Sequence, residues 1–305
     1  MSRALVGEAN GWGEVGLGVL SAAAADAPRQ AGVYLFLDER NDVLYVGKAG
    51  NLRQRLRQHA AMGPPESRLH QRYDLVRRVV WEIAADEGAA VWREADLIFA
   101  LRPPFNANPG LRAADPVGKD ARVPYIVVGE AATGMLSFTL EPVVPPIGRA
   151  YGCFPHLGKG VASRLGIACS DGYTAFLRLL WAAAGQGSHM PASITKSAPQ
   201  SFMVAVPPGV RHGLHRFLSG TRSRLADELL YAAVHRPEYM QLALRRDKEA
   251  ALRFFAAGPQ LVRACRLRHR VRARVLDVET YRSLVRDEIN SVINDLRPTH
   301  DGTRR

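Results

Sequence analysis

Cysteine is scarce in this chain of 305 residues, which contains only Cys153, Cys169 and Cys265. Three scattered cysteines are too few for a disulfide framework or a four-cysteine metal cluster. Long apolar runs are also missing, because no segment approaches the roughly 20 residues that a membrane-spanning helix needs. The N-terminal stretch lacks the basic head and continuous apolar body of a signal peptide, so residues 1–27 are expected to be a flexible or weakly helical leader. These absences predict a cytoplasmic protein with no membrane partner.

Lysine is the second scarce residue, with 5 Lys beside 36 Arg in a chain of net charge +12. The charge is uneven, because residues 201–305 carry +9 and residues 32–102 only +1. The densest stretch begins at Arg263 and continues through Arg266, Arg268, Arg270, Arg272 and Arg274. This density favours contact with nucleic-acid phosphates. The alternative is a general preference for arginine, as in a GC-rich genome.

A β-hairpin is predicted near the start of the chain. Residues 31–37 and 43–46 are rich in β-branched and aromatic side chains, and the charged stretch between them has hairpin length. The first run contains Gly32-Val33-Tyr34, and the second leads into Tyr45-Val46-Gly47. Antiparallel pairing would therefore set Tyr34 and Tyr45 on neighbouring positions.

A helix over residues 52–60 is predicted to follow, with Asn51 as its N-cap. At 100° per residue, one sector of this helix holds Leu52, Arg55, Leu56 and His59. Arg55 therefore borders the packed face, where a guanidinium is held rigidly, and His59 remains ambiguous. Arg53 and Arg57 point away and are either solvated charges or phosphate contacts.

A carboxylate interrupts the apolar stripe of another predicted helix. This helix spans residues 88–101 after a third strand over residues 76–83, and Glu94 lies in the middle of its apolar face. A buried ionised carboxylate is costly unless it is paired or binds a metal. The helix must end before Pro103-Pro104, which presents Asn106 to the same end of the sheet.

Taken together and in this order, these motifs resemble a GIY-YIG nuclease domain of the type found at the start of the excinuclease subunit UvrC. The matching segments are Gly32-Val33-Tyr34, Tyr45-Val46-Gly47-Lys48-Ala49, residues 51–56, residues 94–98 and Pro104-Phe105-Asn106. Glu94 and Asn106 are twelve residues apart, as in that family. The resemblance implies an α+β fold in which a small antiparallel sheet is flanked by helices over residues 28–108.

The same resemblance implies the chemistry of a phosphodiesterase with one divalent metal. Glu94 would hold a single Mg²⁺ or Mn²⁺ ion, since hard cations take oxygen ligands. Tyr34 or Tyr45 would orient or deprotonate the attacking water, and Lys48 would lower the pKa of the tyrosines. Arg55 would donate hydrogen bonds to the phosphate in the transition state. Asn106 would position the phosphate or a metal-bound water.

The rest of the chain resembles UvrC more loosely. Residues 109–200 are predicted to form a small α/β middle unit, and residues 201–305 a mainly helical, basic region with a repair helicase as a candidate partner. UvrC proteins carry a four-cysteine iron–sulfur motif after the nuclease domain, and the cysteines here cannot supply one. The resemblance covers only the N-terminal half of UvrC, so at most one incision per active site is expected.

Three functions are compatible with these features. The first is a metal-dependent DNA endonuclease of repair type, which would make incisions like those of nucleotide excision repair. The second is a restriction or mobile-element nuclease, although no zinc finger or helix-turn-helix is recognisable in the sequence. The third is a non-catalytic DNA-binding scaffold, which would have no use for an acid on an apolar helical stripe.

Overall fold

The protein forms two compact units, each built on its own sheet. Its structure, a computed structural model, describes residues 5–10, 16–61, 70–106, 125–132, 134–154, 157, 169–195 and 199–295. The first unit comprises residues 1–112 and 282–305, and the second comprises residues 113–281. Both units combine an antiparallel sheet with helices, which confirms the predicted α+β class.

The sheet of the first unit has four antiparallel strands in the order β1-β4-β2-β3. They are β1 (Leu5–Asn10), β2 (Gly32–Leu37), β3 (Val43–Ala49) and β4 (Arg78–Ile83). The predicted hairpin is formed by β2 and β3, and the predicted third strand, β4, pairs with the other edge of β2. Asp38 closes the hairpin turn because its Oδ1 accepts the backbone N–H groups of Arg40 and Asp42, at 2.8 and 2.9 Å.

The described residues of this unit up to 106 contain three α-helices: α1 (Leu17–Asp26), α2 (Leu52–Ala61) and α3 (Glu87–Leu101). The predicted cap of α2 is confirmed, since Asn51 Oδ1 accepts the backbone N–H of Gln54 at 3.0 Å. Asp86 caps α3 in the same way by accepting the N–H of Ala89 at 2.7 Å. The helix ends at Arg102, which adopts a left-handed conformation (φ 51°) directly before Pro103.

The segment predicted to be a flexible leader has regular structure in its described part. Strand β1 pairs with β4, and α1 contributes Val19, Leu20 and Ala23 to the buried core. The alanines that suggested weak local structure are small side chains, which let α1 pack closely against α2. The pairing of β1 with a strand some seventy residues further along the chain leaves no local signal in the sequence.

The second unit contains a four-stranded antiparallel sheet in the order β7-β5-β6-β8. The strands are β5 (Tyr125–Ala132), β6 (Met135–Glu141), β7 (Arg149–Tyr151) and β8 (Ser201–Ala205). Because β8 pairs with β6, the boundary predicted at residue 200 lies beside a strand of this sheet. The structure thus differs from the prediction of a separate middle unit ending there.

Helices form the rest of this part of the chain, as the sequence predicts for its C-terminal region. They are α4 (Cys169–Ala183), α5 (Pro208–Leu218), α6 (Leu225–Ala232), α7 (Glu238–Ala257), α8 (Pro259–Arg268) and α9 (Val278–Asp295). The rings of Phe176 and Phe217 stack at 4.8 Å between centroids in the core. Arg236 donates to the carbonyls of Trp181 and Ala182 at the end of α4, which satisfies groups that a helix end leaves free. Within the described segments, no helix combines the length and apolar character needed to cross a membrane.

Candidate active site

The two glycine-tyrosine motifs meet face to face in the hairpin. Tyr34 on β2 pairs with Gly47 on β3, and a Cβ atom at position 47 would lie 2.3 Å from the Tyr34 hydroxyl oxygen. No side chain can occupy such a position, so the missing side chain of Gly47 is what allows the Tyr34 ring to lie across β3. The Tyr45 ring lies beside it, at 6.1 Å between centroids. The pairing therefore gives a physical reason for a glycine in the second motif.

Helix α2 brings a buried histidine between two phenols. His59 Nε2 is hydrogen-bonded to the Tyr34 hydroxyl at 2.7 Å, and His59 Nδ1 to the Tyr73 hydroxyl at 2.5 Å. The His59 side chain is only 2% exposed, so its two ring nitrogens are satisfied inside the protein. This continuous chain of hydrogen bonds fixes the orientation of the Tyr34 hydroxyl.

Arg55 lies one helical turn before His59 and reaches the same phenol. Its Nε donates to the Tyr34 hydroxyl at 3.4 Å, and its Nη1 donates to Gln58 Oε1 at 3.1 Å. The side chain is half-buried. Burial by itself would lower the pKa of Arg55, but the neighbouring phenols, Tyr34 foremost and then Tyr45 and Tyr73, together raise the pKa. Arg55 is therefore a fixed, fully charged donor at the edge of the site, as its predicted position on α2 suggests.

Glu94 on α3 completes the cluster. Burial raises the pKa of the Glu94 carboxyl to about 7, against the opposing effects of the Lys48 charge, the Lys48 backbone N–H and the Arg55 charge. These influences place Glu94 next to Lys48 on β3 and close to Arg55 on α2. Residues more than fifty positions apart in the sequence thus form one site.

The charges around the two phenols differ from the prediction. Burial, with the nearby Glu94, raises the pKa of Tyr45, and burial also raises the pKa of Tyr34. For both tyrosines, the charged group that does most to lower the pKa is Arg55, whereas the sequence suggested Lys48 for this role. Lys48 instead acts on Glu94, because its backbone N–H and its charge lie on the side of β3 that faces α3.

Buried ion pairs hold α3 in place. Arg93 Nε donates to Glu82 Oε2 at 2.9 Å, and its Nη1 donates to Asp96 Oδ2 at 3.1 Å. All three side chains are less than a tenth exposed. Charges buried in this way require good geometry, and the pair with Glu82 ties α3 to β4, whereas the pair with Asp96 lies within α3. Glu94, adjacent in sequence to Arg93, is oriented by the same contacts.

Asn106 is hydrogen-bonded to the backbone of β3. Its Oδ1 accepts the backbone N–H of Val46 at 2.8 Å, and its Nδ2 donates to the Val46 carbonyl at 2.7 Å. The backbone N–H of Phe105 donates to the Leu44 carbonyl at 3.0 Å. The chain after α3 thus pairs with β3 much as a strand would. Through this pairing, Asn106 holds the segment that carries Tyr45 and Gly47.

The arginines predicted to contact nucleic acid occupy several environments. Arg53 Nε donates to the Ala27 carbonyl at 2.6 Å, which ties this guanidinium to the segment after α1, while Arg57 is exposed. The C-terminal arginines lie in the second unit. Of these, Arg268, Arg270, Arg272 and Arg274 are exposed and Arg266 is half-buried, and Arg266 and Arg274 line a cavity.

Sequence reasoning missed Tyr73 and left His59 undecided. Tyr73 belongs to a short 3-10 helix, His70–Leu75, where no periodic pattern marks a side chain as internal. His59 falls on the packed sector of α2, and this was the available signal. A histidine on a buried face needs hydrogen-bond partners for both ring nitrogens, so the position of His59 indicated that a polar side chain such as a tyrosine lies nearby.

The residues of this site suit a divalent cation of the magnesium type. Glu94 is a half-buried carboxylate whose charged form is disfavoured by burial, and a bound cation would offset that cost. Mg²⁺ is commonly held by one or two carboxylates and completed by water and substrate phosphate. The Lys48 N–H occupies only part of the acceptor capacity of this carboxylate. Glu94 therefore fits a single-metal site.

Comparison with known proteins agrees with this geometry. Residues 30–107 match the family described as the UvrC-like GIY-YIG domain. The UvrABC system protein C of Haloarcula marismortui is 35% identical over 142 residues, which is 42% of this chain and 24% of that protein. Its counterpart from Novosphingobium aromaticivorans is 36% identical over 93 residues, or 30% of this chain and 14% of that protein. Matches of this kind thus span less than a quarter of the length of these relatives.

Solved structures include a similar domain. The N-terminal GIY-YIG endonuclease domain of UvrC from Thermotoga maritima, described as bound to its catalytic magnesium, is 28% identical. The match covers 29% of this chain and 96% of that one, with a TM-score of 0.26.

The paired tyrosine motifs, the arginine on α2 and the acid on α3 define a GIY-YIG endonuclease domain. This domain, residues 30–107, is of the UvrC-like type and is homologous to the catalytic domain of UvrC. The resemblance predicted from the sequence is thereby confirmed.

Proposed function

We propose that this protein is a metal-dependent DNA endonuclease that hydrolyses phosphodiester bonds during repair, in incisions like those of nucleotide excision repair. The observation that supports this proposal best is the convergence of Tyr45, Arg55 and Glu94 around the buried phenol of Tyr34. A base, a cation and a metal-binding acid are the three elements that phosphodiester hydrolysis requires. The names of the relatives, all UvrABC system protein C, support the assignment to repair.

Arg55 would act on the phosphate. Its Nε and one Nη are already held by Tyr34 and Gln58, so the guanidinium is oriented before the substrate arrives. A planar guanidinium fixed in this way can donate to the additional negative charge of the pentacoordinate phosphate at little entropic cost.

Tyr45 is the better candidate for activating the water, because Tyr34 is fully buried and Tyr45 is not. A water molecule can reach the Tyr45 hydroxyl without opening the core. The proximity of Glu94, which contributes to the raised pKa of Tyr45, places this phenol beside the proposed metal ligand. Arg55 opposes the rise in pKa and so favours transfer of the phenol proton.

Tyr34 would then be a positioning residue. Its hydroxyl connects His59 to Arg55, at 2.7 and 3.4 Å, and its ring lies against Tyr45. Tyr73 extends this chain on the far side of His59. These contacts hold Arg55 and Tyr45 in fixed positions. Fixed positions are important for hydrolysis because small misplacements of reacting groups reduce the rate strongly.

Glu94 would hold the single Mg²⁺ or Mn²⁺ ion. A divalent cation there would neutralise charge on the scissile phosphate and on the leaving oxygen. The contribution of the chain itself is to keep the carboxylate oriented from α3 and partly shielded from water.

DNA is the proposed substrate and a repair helicase a proposed partner. Within residues 201–305, for which the sequence suggests a helicase partner, Phe217 and Leu218 are buried and so are not available for such a contact. The second unit nevertheless exposes apolar side chains nearby, including Tyr231 at 82% and Val234 at 71%. A partner helix would find apolar contact there, and Val234→Glu should weaken such an association without affecting DNA cutting.

The proposal is tested by incubating the purified protein with lesion-bearing, branched and plain duplex DNA in Mg²⁺ or Mn²⁺. Glu94→Gln and Tyr45→Phe should abolish cutting, with losses of about a hundredfold or more. Gln54→Ala, which removes an exposed polar side chain from the same helix as Arg55, serves as the control and should retain most of the activity.

The outcomes separate the candidate functions. Preference for lesion-bearing or branched DNA supports repair, whereas cutting of plain duplex at a fixed sequence would favour a restriction or mobile-element nuclease. Tight DNA binding with no cutting under any condition would favour a scaffold. Cutting that survives Glu94→Gln would remove Glu94 from the metal site.

A further inference from the structure

The second unit contains a cavity of about 490 Å³ that the endonuclease function does not use. One wall is the short strand β7 with the segment that follows it, and the opposite wall is helix α8. The end of α5 and the chain around residue 274 complete the lining. All of these elements belong to the same unit.

The polar lining of this cavity is basic. Four arginines contribute to it, and no carboxylate does so among the described residues; the arginines are Arg149, Arg263, Arg266 and Arg274. His215 on α5 lies among them, where burial and then the charges of Arg149 and Arg274 lower its pKa. Like charges held together repel one another more strongly when they are partly shielded from water. An anion in the cavity would relieve this repulsion.

Several hydrogen-bond donors in the cavity are either held in one orientation by a neighbour or lack an acceptor. Arg149 Nη2 is hydrogen-bonded to His215 Nε2 at 2.9 Å, and the Tyr151 hydroxyl lies 3.3 Å from His215 Nδ1. Arg266 Nε is buried and has no hydrogen-bond partner in the described part of the chain. A buried N–H without an acceptor costs free energy, and an anionic oxygen is the strongest acceptor that could satisfy it.

The cavity also has apolar walls. Phe154, Leu218 and Val262 contribute to its lining, and all three are buried. The volume is in the range of small-molecule sites and exceeds the needs of a bare oxyanion. This combination matches a ligand that carries an anionic group on a larger, partly apolar body.

We propose that this cavity binds the phosphate of a nucleotide, with the arginines around the phosphate and the sugar or base against the apolar wall. Arginine gives two parallel hydrogen bonds to phosphate oxygens. The nucleotide may be free or may be one unit of a DNA strand, and the chemistry of recognition is the same in both cases.

This assignment divides the arginine-rich stretch into two groups. Arg266 and Arg274 line the cavity, whereas Arg272 lies between them in sequence and is not part of the lining; Arg272 and Arg274 are both exposed. Arg272 is therefore the matched control, since its loss removes the same charge from the same segment. Binding at this cavity does not depend on the proposed endonuclease activity.

The test measures binding to the full chain by titration calorimetry at constant ionic strength. The probes are inorganic phosphate, deoxyadenosine monophosphate and a ten-nucleotide single strand. Arg266→Ala and Arg274→Ala should each weaken binding of the monophosphate about tenfold, and Arg272→Ala should change it less than about twofold. Circular dichroism confirms that each variant is folded, and Arg266→Lys tests whether charge alone is sufficient.

The probes identify the source of the phosphate. If the monophosphate binds as tightly as the strand or more tightly, the ligand is a free nucleotide. If the strand binds about tenfold more tightly than the monophosphate, the ligand is DNA. Both results support the site. Absence of saturable binding of any probe, or equal losses for Arg272→Ala and Arg266→Ala, would overturn it. Glu94→Gln should leave these affinities unchanged, so failure of the endonuclease proposal is measured separately.

Discussion

Glu94 is subject to two opposing requirements. Folding favours its protonated form, because burial raises its pKa from 4.5 to about 7, whereas a metal ligand must be ionised. The favourable contribution of the protonated carboxyl is fully present below pH 4.5 and is lost as the pH rises through 7. The proposed site is therefore less stable, without its cation, at the pH at which it would work.

Glu94→Gln should consequently stabilise the protein at pH 8. The amide cannot ionise, so the free energy of unfolding should exceed that of the wild type by up to about 3 kcal/mol at this pH. Near pH 4 the two proteins should be equally stable. Urea denaturation at both pH values measures the difference, and equal stability at pH 8 would contradict a raised pKa.

The same carboxyl should set the pH dependence of DNA cutting. Cutting in low Mg²⁺ should increase as the pH rises through about 7, because protonation competes with the cation for Glu94. Raising the Mg²⁺ concentration should move the midpoint to lower pH, and removing the cation with a chelator should stop cutting at every pH. A midpoint that does not move with Mg²⁺ would indicate a different titrating group.

A third prediction at the residue scale concerns Gly47. Gly47→Ala would place Cβ 2.3 Å from the Tyr34 hydroxyl oxygen, so it should destabilise the protein by about 2 kcal/mol or more and reduce cutting. Gly50→Ala is the control, since its Cβ would meet nothing closer than 3.5 Å. Thermal unfolding compares the two, and similar shifts for both variants would contradict the close packing at Tyr34.

At the scale of elements, the connection after α3 depends on Asn106. Asn106→Ala removes both hydrogen bonds to the Val46 backbone and should cost about 1 to 3 kcal/mol of stability, with a parallel loss of cutting. Asn106→Asp keeps an acceptor but loses the donor, so its stability should lie between those of the wild type and Asn106→Ala, or below both. A large loss of cutting with unchanged stability would instead support direct contact with the phosphate, as the sequence suggested.

The predicted elements were those with strong local signals. The hairpin of β2 and β3 follows from β-branched and aromatic runs around a charged turn, and α2 follows from Asn51 and an amphipathic pattern. Strand β1 could not be predicted, because it is specified by pairing with β4. Helix α1 contains four alanines in succession, and their small side chains give little contrast between a buried face and an exposed one.

The residues of the site divide in the same way, into those with a local sequence signal and those placed by tertiary contacts. Tyr34, Tyr45, Arg55 and Glu94 were predicted because each occupies a recognisable position on a strand or helix. Their partners were harder to predict, since the acceptor for Arg53 is the Ala27 carbonyl and Asn106 bonds to a strand 60 residues earlier in the chain. Such contacts depend on tertiary packing, which a local pattern does not encode.

For the molecule as a whole, charge and the proposed chemistry lie in different parts of the chain. Residues 32–102 have a net charge of +1, whereas residues 201–305 carry +9 of the total of +12. Most of the electrostatic attraction for DNA should therefore come from the C-terminal third. In the proposed endonuclease, the residues around Glu94 would contribute to the rate more than to the affinity.

This separation predicts how cutting should respond to salt. Raising NaCl from about 50 to about 200 mM should increase KM for DNA by roughly tenfold or more, because counterions compete for the phosphates. The value of kcat should change little, since the half-buried groups at Glu94 and Arg55 are screened less than exposed charges. Glu94→Gln should bind DNA with the same salt dependence as the wild type. A fall in kcat at constant KM would mean that the charges governing binding and those governing hydrolysis are not separate.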